Sequence, residues 1–315
     1  MDALSAILAP VRLQQTCWGF TVGRAPWGLT FPGRKSCVRF HYVVRGSAWL
    51  SVDNTDEPAV ALTGGDLAVL PLGHGHVLRD HPGSASGHVD DVAQCGSRSI
   101  IKQFEVGAKG PETNFVTGAF VLDDPLARQI LAVLPPVIRM RPEAEGVPSF
   151  LENVQFITRE VETDRPGSEV VLLRMADVIF IQILRAYLAR VPDNEGGGFL
   201  RALRDPSTAA ALGAMHHRPE APWTVASLAK EVGLSRSIFA ARFTQLVGEP
   251  PLGYLTRLRM QKAATLLRDG ARLAEASRLT GYASEASFSH AFRQWAGVAP
   301  GAYRNQLRGA PPAAD

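Results

Sequence analysis

Apolar positions recur at helical spacing through the last third of the chain and in short strand-like runs through the first. Val225, Leu228, Ala229 and Val232 fall at i, i+3, i+4 and i+7, one face of a helix. Thr224 stands before them, a residue type whose hydroxyl caps exposed backbone N–H groups. Gly233 follows as a left-handed stop. Ser235 caps the next helix, whose apolar face reads as Ile238, Phe239, Phe243 and Leu246 and which ends at Gly248. The pattern then repeats. Phe239, Phe243, Gly248, Pro251 and Tyr254 correspond to Phe288, Phe292, Gly297, Pro300 and Tyr303, every pair 49 positions apart. In the second copy a helix over Leu273 to Leu279 meets a glycine turn at Gly281. Ser284 then caps a helix with Phe288, Phe292 and Trp295 on its apolar face. Pro250-Pro251 opens a longer helix between the copies, with Leu255, Leu258, Leu266 and Leu267 inward and Gly270 at its end, and a last short helix starts at Pro300. Each copy is a helix-turn-helix, in which the second helix can lie in a DNA major groove.

The first 135 residues or so read differently. Short segments rich in Val, Phe, Tyr and Trp are bounded by glycine clusters: Val38 to Arg45, Ala48 to Val52, Leu67 to Pro71, Val77 to Arg79, Ile100 to Val106 and Phe115 to Leu122. Strands at this spacing predict a sandwich or barrel. Asp80 to Ser97 reads as a loop, with Cys95 at its end. A proline-rich crossover, Leu134 to Pro148, leads to helices over Phe150 to Glu162 and over Glu169 to Arg190, the latter capped by Ser168. The second is apolar around most of its circumference, so it must bury more than one side. It is the predicted dimer interface, the alternative being that both faces pack within one subunit. Gly196-Gly197-Gly198 marks a linker, Leu200 to His216 a further helix, and the Pro/Ala tail after Arg308 is expected to be disordered. The expected fold class is therefore α+β with two domains. Residues 1–135 form a β-barrel, 136–192 a helical dimerisation segment, 193–199 a linker, 200–308 an all-α tandem helix-turn-helix domain and 309–315 a tail.

Charge sharpens this division. Residues 222–308 carry twelve Lys/Arg against five Asp/Glu, a net of +7, whereas the rest of the chain carries twenty-one against twenty-five, a net of −4. A basic segment on an otherwise acidic chain is the electrostatic footprint of phosphate contact. No apolar run approaches the roughly 18 residues of a membrane helix, so no membrane association is expected. The N-terminus shows no basic run before an apolar core, and the three cysteines have no paired spacing. Both point to a reducing cytoplasm.

The C-terminal residues carry a resemblance. The run Trp223-Thr224-Val225, Ser227-Leu228-Ala229, Val232-Gly233-Leu234-Ser235-Arg236-Ser237, Phe243, Gly248, Pro251, Tyr254-Leu255, Arg257-Leu258-Arg259-Met260, Ala263 and Leu266-Leu267 closely resembles the first half of the AraC/XylS family DNA-binding domain. Gly281-Tyr282, Ser287-Phe288-Ser289, Phe292, Gly297-Val298, Pro300 and Tyr303-Arg304 resembles the second half. The resemblance implies a one-component transcription regulator whose recognition helices enter successive major grooves of double-stranded DNA. RNA polymerase is a further partner if the protein is an activator. The sequence departs from the family at Ala241, where an arginine is usual, and at Ala276-Ser277, where a bulky aliphatic and an alanine are preferred. The groove-facing residues expected in the first unit are Arg236, Ser237, Ala240 and Ala241, with Arg242 open to phosphate contact or to pairing within the domain. In the second unit they are Glu285, Ala286, Ser289 and His290. Glu285 could accept from cytosine N4, or favour the helix start by its charge.

A second resemblance lies nearer the N-terminus. Gly65 to His76 matches the second motif of the cupins, with Asp80 where that motif continues with asparagine, and Phe40 to Gly46 resembles a cupin strand and glycine turn. This implies a cupin-like sensor barrel for a small-molecule effector, with Arg39, His41, Trp49, His76 and Phe104 as the expected pocket residues. Arg39 and His41 share a strand face by alternation. Cupin metal centres need several imidazoles and a carboxylate. Here His41 and His76 are the residues that would hold zinc or iron, Cys37 or Cys95 being the nearest candidates to complete a set, and Thr117-Gly118 stands where related regulators carry Cys-Gly. No cofactor is expected, and the chain reads as a regulator rather than an enzyme. The rival reading is a metal-dependent cupin enzyme fused to a DNA-binding domain. A third is a regulator whose barrel is purely structural.

Overall fold

The computed structural model describes residues 3–8, 14–34, 36–89, 100–121, 131–132, 134–141, 148–163, 165–190 and 198–309. The chain divides into two units: Met1–Pro10 together with Gly196–Asp315, and Val11–Glu195.

The second of these is built on strands. Their order is β1 (Gln14–Arg24), β2 (Gly28–Phe31), β3 (Cys37–Arg45), β4 (Ser47–Val52), β5 (Val60–Thr63), β6 (Leu67–Leu70), β7 (His76–Arg79), β8 (Gly87–His88), β9 (Ile100–Gly107), β10 (Glu112–Val121) and β11 (Ile138–Met140). They form a six-stranded sheet, β11-β6-β3-β10-β1-β9, and a five-stranded sheet, β5-β4-β7-β2-β8. One apolar interior takes side chains from both sheets. Val43, Ala68, Leu70 and Phe115 come from the first, and Leu29, Phe31, Ala48, Leu50, Leu62 and Leu78 from the second. The expected barrel is thus realised as two facing sheets among the described residues. Asp66 fastens the edge strand β11. Its carboxylate, fully buried, accepts from Arg139 and from Arg141, both at 2.8 Å, and from the Thr63 backbone N–H.

Two helices follow, α2 (Pro148–Thr163) and α3 (Ser168–Arg190), packed against each other. α3 buries Leu172, Ala176, Ile179, Phe180, Ile183 and Leu184 on one side. Its other side leaves Val170 63% and Val178 39% exposed.

The helical unit begins with α1 (Ala3–Leu8), whose Ala6, Ile7 and Leu8 are buried. It continues with α4 (Gly198–Arg204), α5 (Pro206–His217), α6 (Val225–Glu231), α7 (Arg236–Val247), α8 (Pro251–Arg268), α9 (Leu273–Leu279), α10 (Glu285–Ala296) and α11 (Pro300–Gly309). α1 packs on α5, so the first residues belong with this unit and not with the sheets. The single helix expected over Leu200 to His216 is two. Pro206 cannot extend α4, and Asp205 instead caps α5 by accepting from the Thr208 N–H.

Candidate functional site

The recognition helices are set by local chemistry. Thr224 and Ser227 form a reciprocal capping box at the start of α6, and Ser235 and Ser284 accept backbone N–H bonds at the starts of α7 and α10. Gly248 and Gly297 end those helices in the left-handed conformation. Gly281 turns the second unit at φ 78°, and a Cβ there would lie 2.3 Å from the Glu220 carbonyl oxygen. Only glycine fits both demands.

α7 and α10 are each twelve residues long and bury the same registers, Phe239 with Phe243 and Phe288 with Phe292. Their opposite faces are therefore equivalent. Arg236, Ser237 and Ala241 are exposed on α7, and Glu285, Ala286 and His290 on α10. Ala240 and Ser289, also expected in the groove, occupy matching half-buried positions on the flank nearer the core. Arg242 pairs with the carboxylate of Asp205, the α5 cap. Burial alone would raise the Asp205 pKa, but hydrogen bonds from Ser207, Thr208 and Arg242 outweigh it and bring it to about 2. Arg242 therefore ties the first recognition helix to its own domain. Arg257 and Arg259 are likewise engaged internally, with Glu249 and with the Pro219 and Ala221 carbonyls.

Two apolar assignments are corrected. Ile238 was expected in the core but is 56% exposed, because it lies about 100° round the helix from Phe239. Trp295 keeps an edge contact with Phe292 yet remains 38% exposed. Periodicity misses such cases because it does not distinguish a core stripe from a contact stripe.

In the two-sheet unit, β3 and β7 bring together residues 35 apart in sequence, since both face the interior. His41 Nε2 and His76 Nε2 are 2.8 Å apart, and both side chains are fully buried. His76 Nδ1 lies 3.1 Å from the His74 carbonyl, which only accepts, so Nδ1 carries the proton there. His76 Nε2 is then bare and accepts from His41 Nε2–H. His41 Nδ1 in turn accepts from the Thr117 hydroxyl at 2.9 Å. One carbonyl thereby fixes the direction of the whole chain of bonds. Burial, then the neighbouring His76 and Arg39, hold the His41 pKa well below its usual range. Burial and Arg39 lower that of His76 to about 3. Both imidazoles are neutral at physiological pH. Phe31 stacks on His76 at 4.8 Å, and the Arg39 guanidinium sits over the Phe31 ring at 5.1 Å.

Of the expected pocket, Arg39, His41 and His76 come together. Trp49 does not: β4 turns Ala48 and Leu50 into the core, so alternation directs Trp49 to the outer face. Phe104 is half-buried on the edge strand β9, separated from β3 by β1 and β10. Sequence reading missed Trp27, which is buried in the same interior, stacks on Phe115 and leaves its indole Nε1–H without a hydrogen-bond partner. The donor set does not fit a zinc or iron centre of several ligands. The two imidazoles bond to each other, and among the described residues no group of three His, Cys, Asp or Glu converges. Cys37 is a buried thiol whose pKa burial raises. Cys17 is disulfide-bonded, against the expectation of free thiols, since local spacing carries no mark of this bond. Cys95 lies outside the described residues.

Comparison with known proteins agrees with this geometry. Residues 2–189 match the cupin family, and residues 228–306 match a helix-turn-helix domain family. An AraC-like transcription regulator of Streptomyces lividans is 32% identical over 306 residues, covering 96% of this chain and 98% of its own. The chain belongs to the AraC-like transcription regulators. Another AraC-like regulator, from Streptomyces antibioticus, is 33% identical over 308 residues, covering 96% of this chain and 98% of its own. The transcriptional regulator AlkR of Acinetobacter baylyi is 27% identical over 311 residues, covering 97% and 100%. As an AraC-like regulator, the protein binds DNA through its tandem helix-turn-helix unit and carries a cupin domain. No described helix is long and apolar enough to cross a membrane.

Proposed function

We propose that this AraC-like regulator is a cytoplasmic homodimer controlled by a small organic effector, and that the two-sheet unit performs no catalysis. The observation that carries the effector site is the buried interior beside His41 and His76. It combines neutral imidazoles, the Arg39 cation, aromatic walls and the unpartnered Trp27 N–H. Such a mixture of apolar lining and a few polar groups is how small-molecule sites are built. The exposed Val170 and Val178 of α3 support dimerisation through that helix. Effector binding then shifts an equilibrium between two presentations of the DNA-binding units, by its different affinity for each. If the protein activates transcription, RNA polymerase is the further partner.

Arg236, Ser237, Ala241, Glu285, Ala286 and His290 face the DNA in this reading. Native mass spectrometry of the full-length protein tests the oligomer and the ligand together. A dimer carrying a co-purified small molecule, released on His76→Ala, is the expected result. A metal-free, ligand-free monomer would overturn both. Binding to the protein's own upstream DNA tests the contacts. Arg236→Ala and His290→Ala should each weaken it, and unchanged affinity and preference would remove those residues from the readout.

A further inference from the structure

The exposed Ile238 has partners further along the same helix. Ile238, Ala241 and Gln245 are spaced i, i+3, i+7, and all are exposed. They form one stripe on the face opposite Phe239 and Phe243. The repeat of 49 places Ser287, His290 and Gln294 on the matching stripe of α10, all exposed as well. The same amide side chain thus stands at the same outward position in both units, while the positions before it differ in character. In α7 they are apolar, and in α10 they are polar.

The geometry points to Ile238, Gln245 and Gln294 as specificity-determining residues. Ile238 contacts a thymine methyl, and the two glutamines each read an adenine. The first unit thereby selects an A·T-rich half-site. An isoleucine 56% exposed on the DNA-facing side of a recognition helix exposes apolar surface to water in the free protein, and the thymine C5-methyl is the apolar group a major groove offers. Glutamine matches adenine N6 and N7 bidentately. Ser237 and Ala241 are too short to read bases at a distance, but they let the helix approach the base edges closely. From Ile238 to Gln245 the helix rises about 10 Å, roughly three base pairs of axis. Gln245 is then the long neutral side chain within reach of the far end of that half-site.

The test uses the full-length protein and a randomised duplex library, followed by anisotropy on the enriched sequence. Gln245→Ala should lose about 5- to 150-fold in affinity and relax selection at a single A·T position, and Gln294→Ala should relax one in the other half of the site. Replacing thymine by uracil at the Ile238 position should weaken the wild type, leave Ile238→Ala indifferent and still weaken Ile238→Val, which keeps a methyl contact. The three side chains are exposed, so circular dichroism should report unchanged folding. Two results would overturn the assignment. One is selection of the wild-type sequence by both glutamine-to-alanine variants. The other is a loss spread evenly over all sequences, which marks contact with the phosphate backbone.

Discussion

His41 Nε2 donates to His76 Nε2 across 2.8 Å inside the two-sheet unit, and neither ring reaches water. Burial of the His76 ring, with Arg39 beside it, makes stability depend on acid. The folded His76 titrates near 3, whereas an unfolded histidine titrates near its ordinary value of about 6.5. Between those values the unfolded chain binds the proton and the folded chain does not. Stability is therefore complete above pH 6.5 or so and is lost as pH falls toward 3. Lowering the pH from about 6.5 to 5 should cost about 2 kcal/mol through His76 alone, read as a lower urea midpoint. Thr117→Val, which removes the hydroxyl at the head of the chain, should cost a further 1–3 kcal/mol or so at neutral pH by leaving His41 Nδ1 unsatisfied.

Asp66 should be a strong stability determinant of the same unit. Its buried carboxylate holds Arg139, Arg141 and the Thr63 turn at once. Both arginines are substantially solvent-exposed and can rehydrate, so Asp66→Asn should cost about 2 kcal/mol, less than a fully buried pair would. A chemical denaturation curve with an unchanged midpoint would refute this.

Gly118 is a packing requirement of β10. A Cβ at that position would lie 2.3 Å from the Phe40 ring, which is itself fixed edge-on to Trp18 at 5.4 Å. Gly118→Ala should destabilise the sheet by roughly 1–3 kcal/mol through overpacking. Adding Phe40→Leu should recover part of the loss, since it makes room.

Arg236 and Arg242 should separate in DNA binding despite standing on one helix. Arg242 is engaged with Asp205, so Arg242→Ala should alter stability by no more than about 1 kcal/mol and leave the salt dependence of DNA affinity nearly unchanged. Arg236→Ala should lower the slope of log affinity against log salt by about 1. Equal slopes for the two variants would reverse this assignment.

The helical unit was legible in the sequence because its backbone is written in single residues. Thr224, Ser235 and Ser284 cap helices, and Gly233, Gly248, Gly281 and Gly297 take positive φ where helices stop or turn. The sheets were less so. β1 carries Gly19 and Gly23 within it, which blur alternation, and β11 lies within the proline-rich crossover. α1 has six residues, too few for a helical period to show. His41 and His76 were visible as residues, but their bond depends on strands 35 positions apart facing one interior. The outward Ile238 and the outward Trp49 were misplaced for one reason: an apolar side chain does not announce which side of its element is the core.

The docking of α1 on α5 changes what kind of assembly this chain is. Among the described residues, the chain runs from α1 in the helical unit through the two sheets and back into the helical unit. In the order of the chain, the two-sheet unit thus lies between two parts of the helical unit. A fragment beginning at Gly198 would keep both recognition helices but strip the buried Ile7 and Leu8 from α5, so the natural cut between the two functions leaves a wound on one of them.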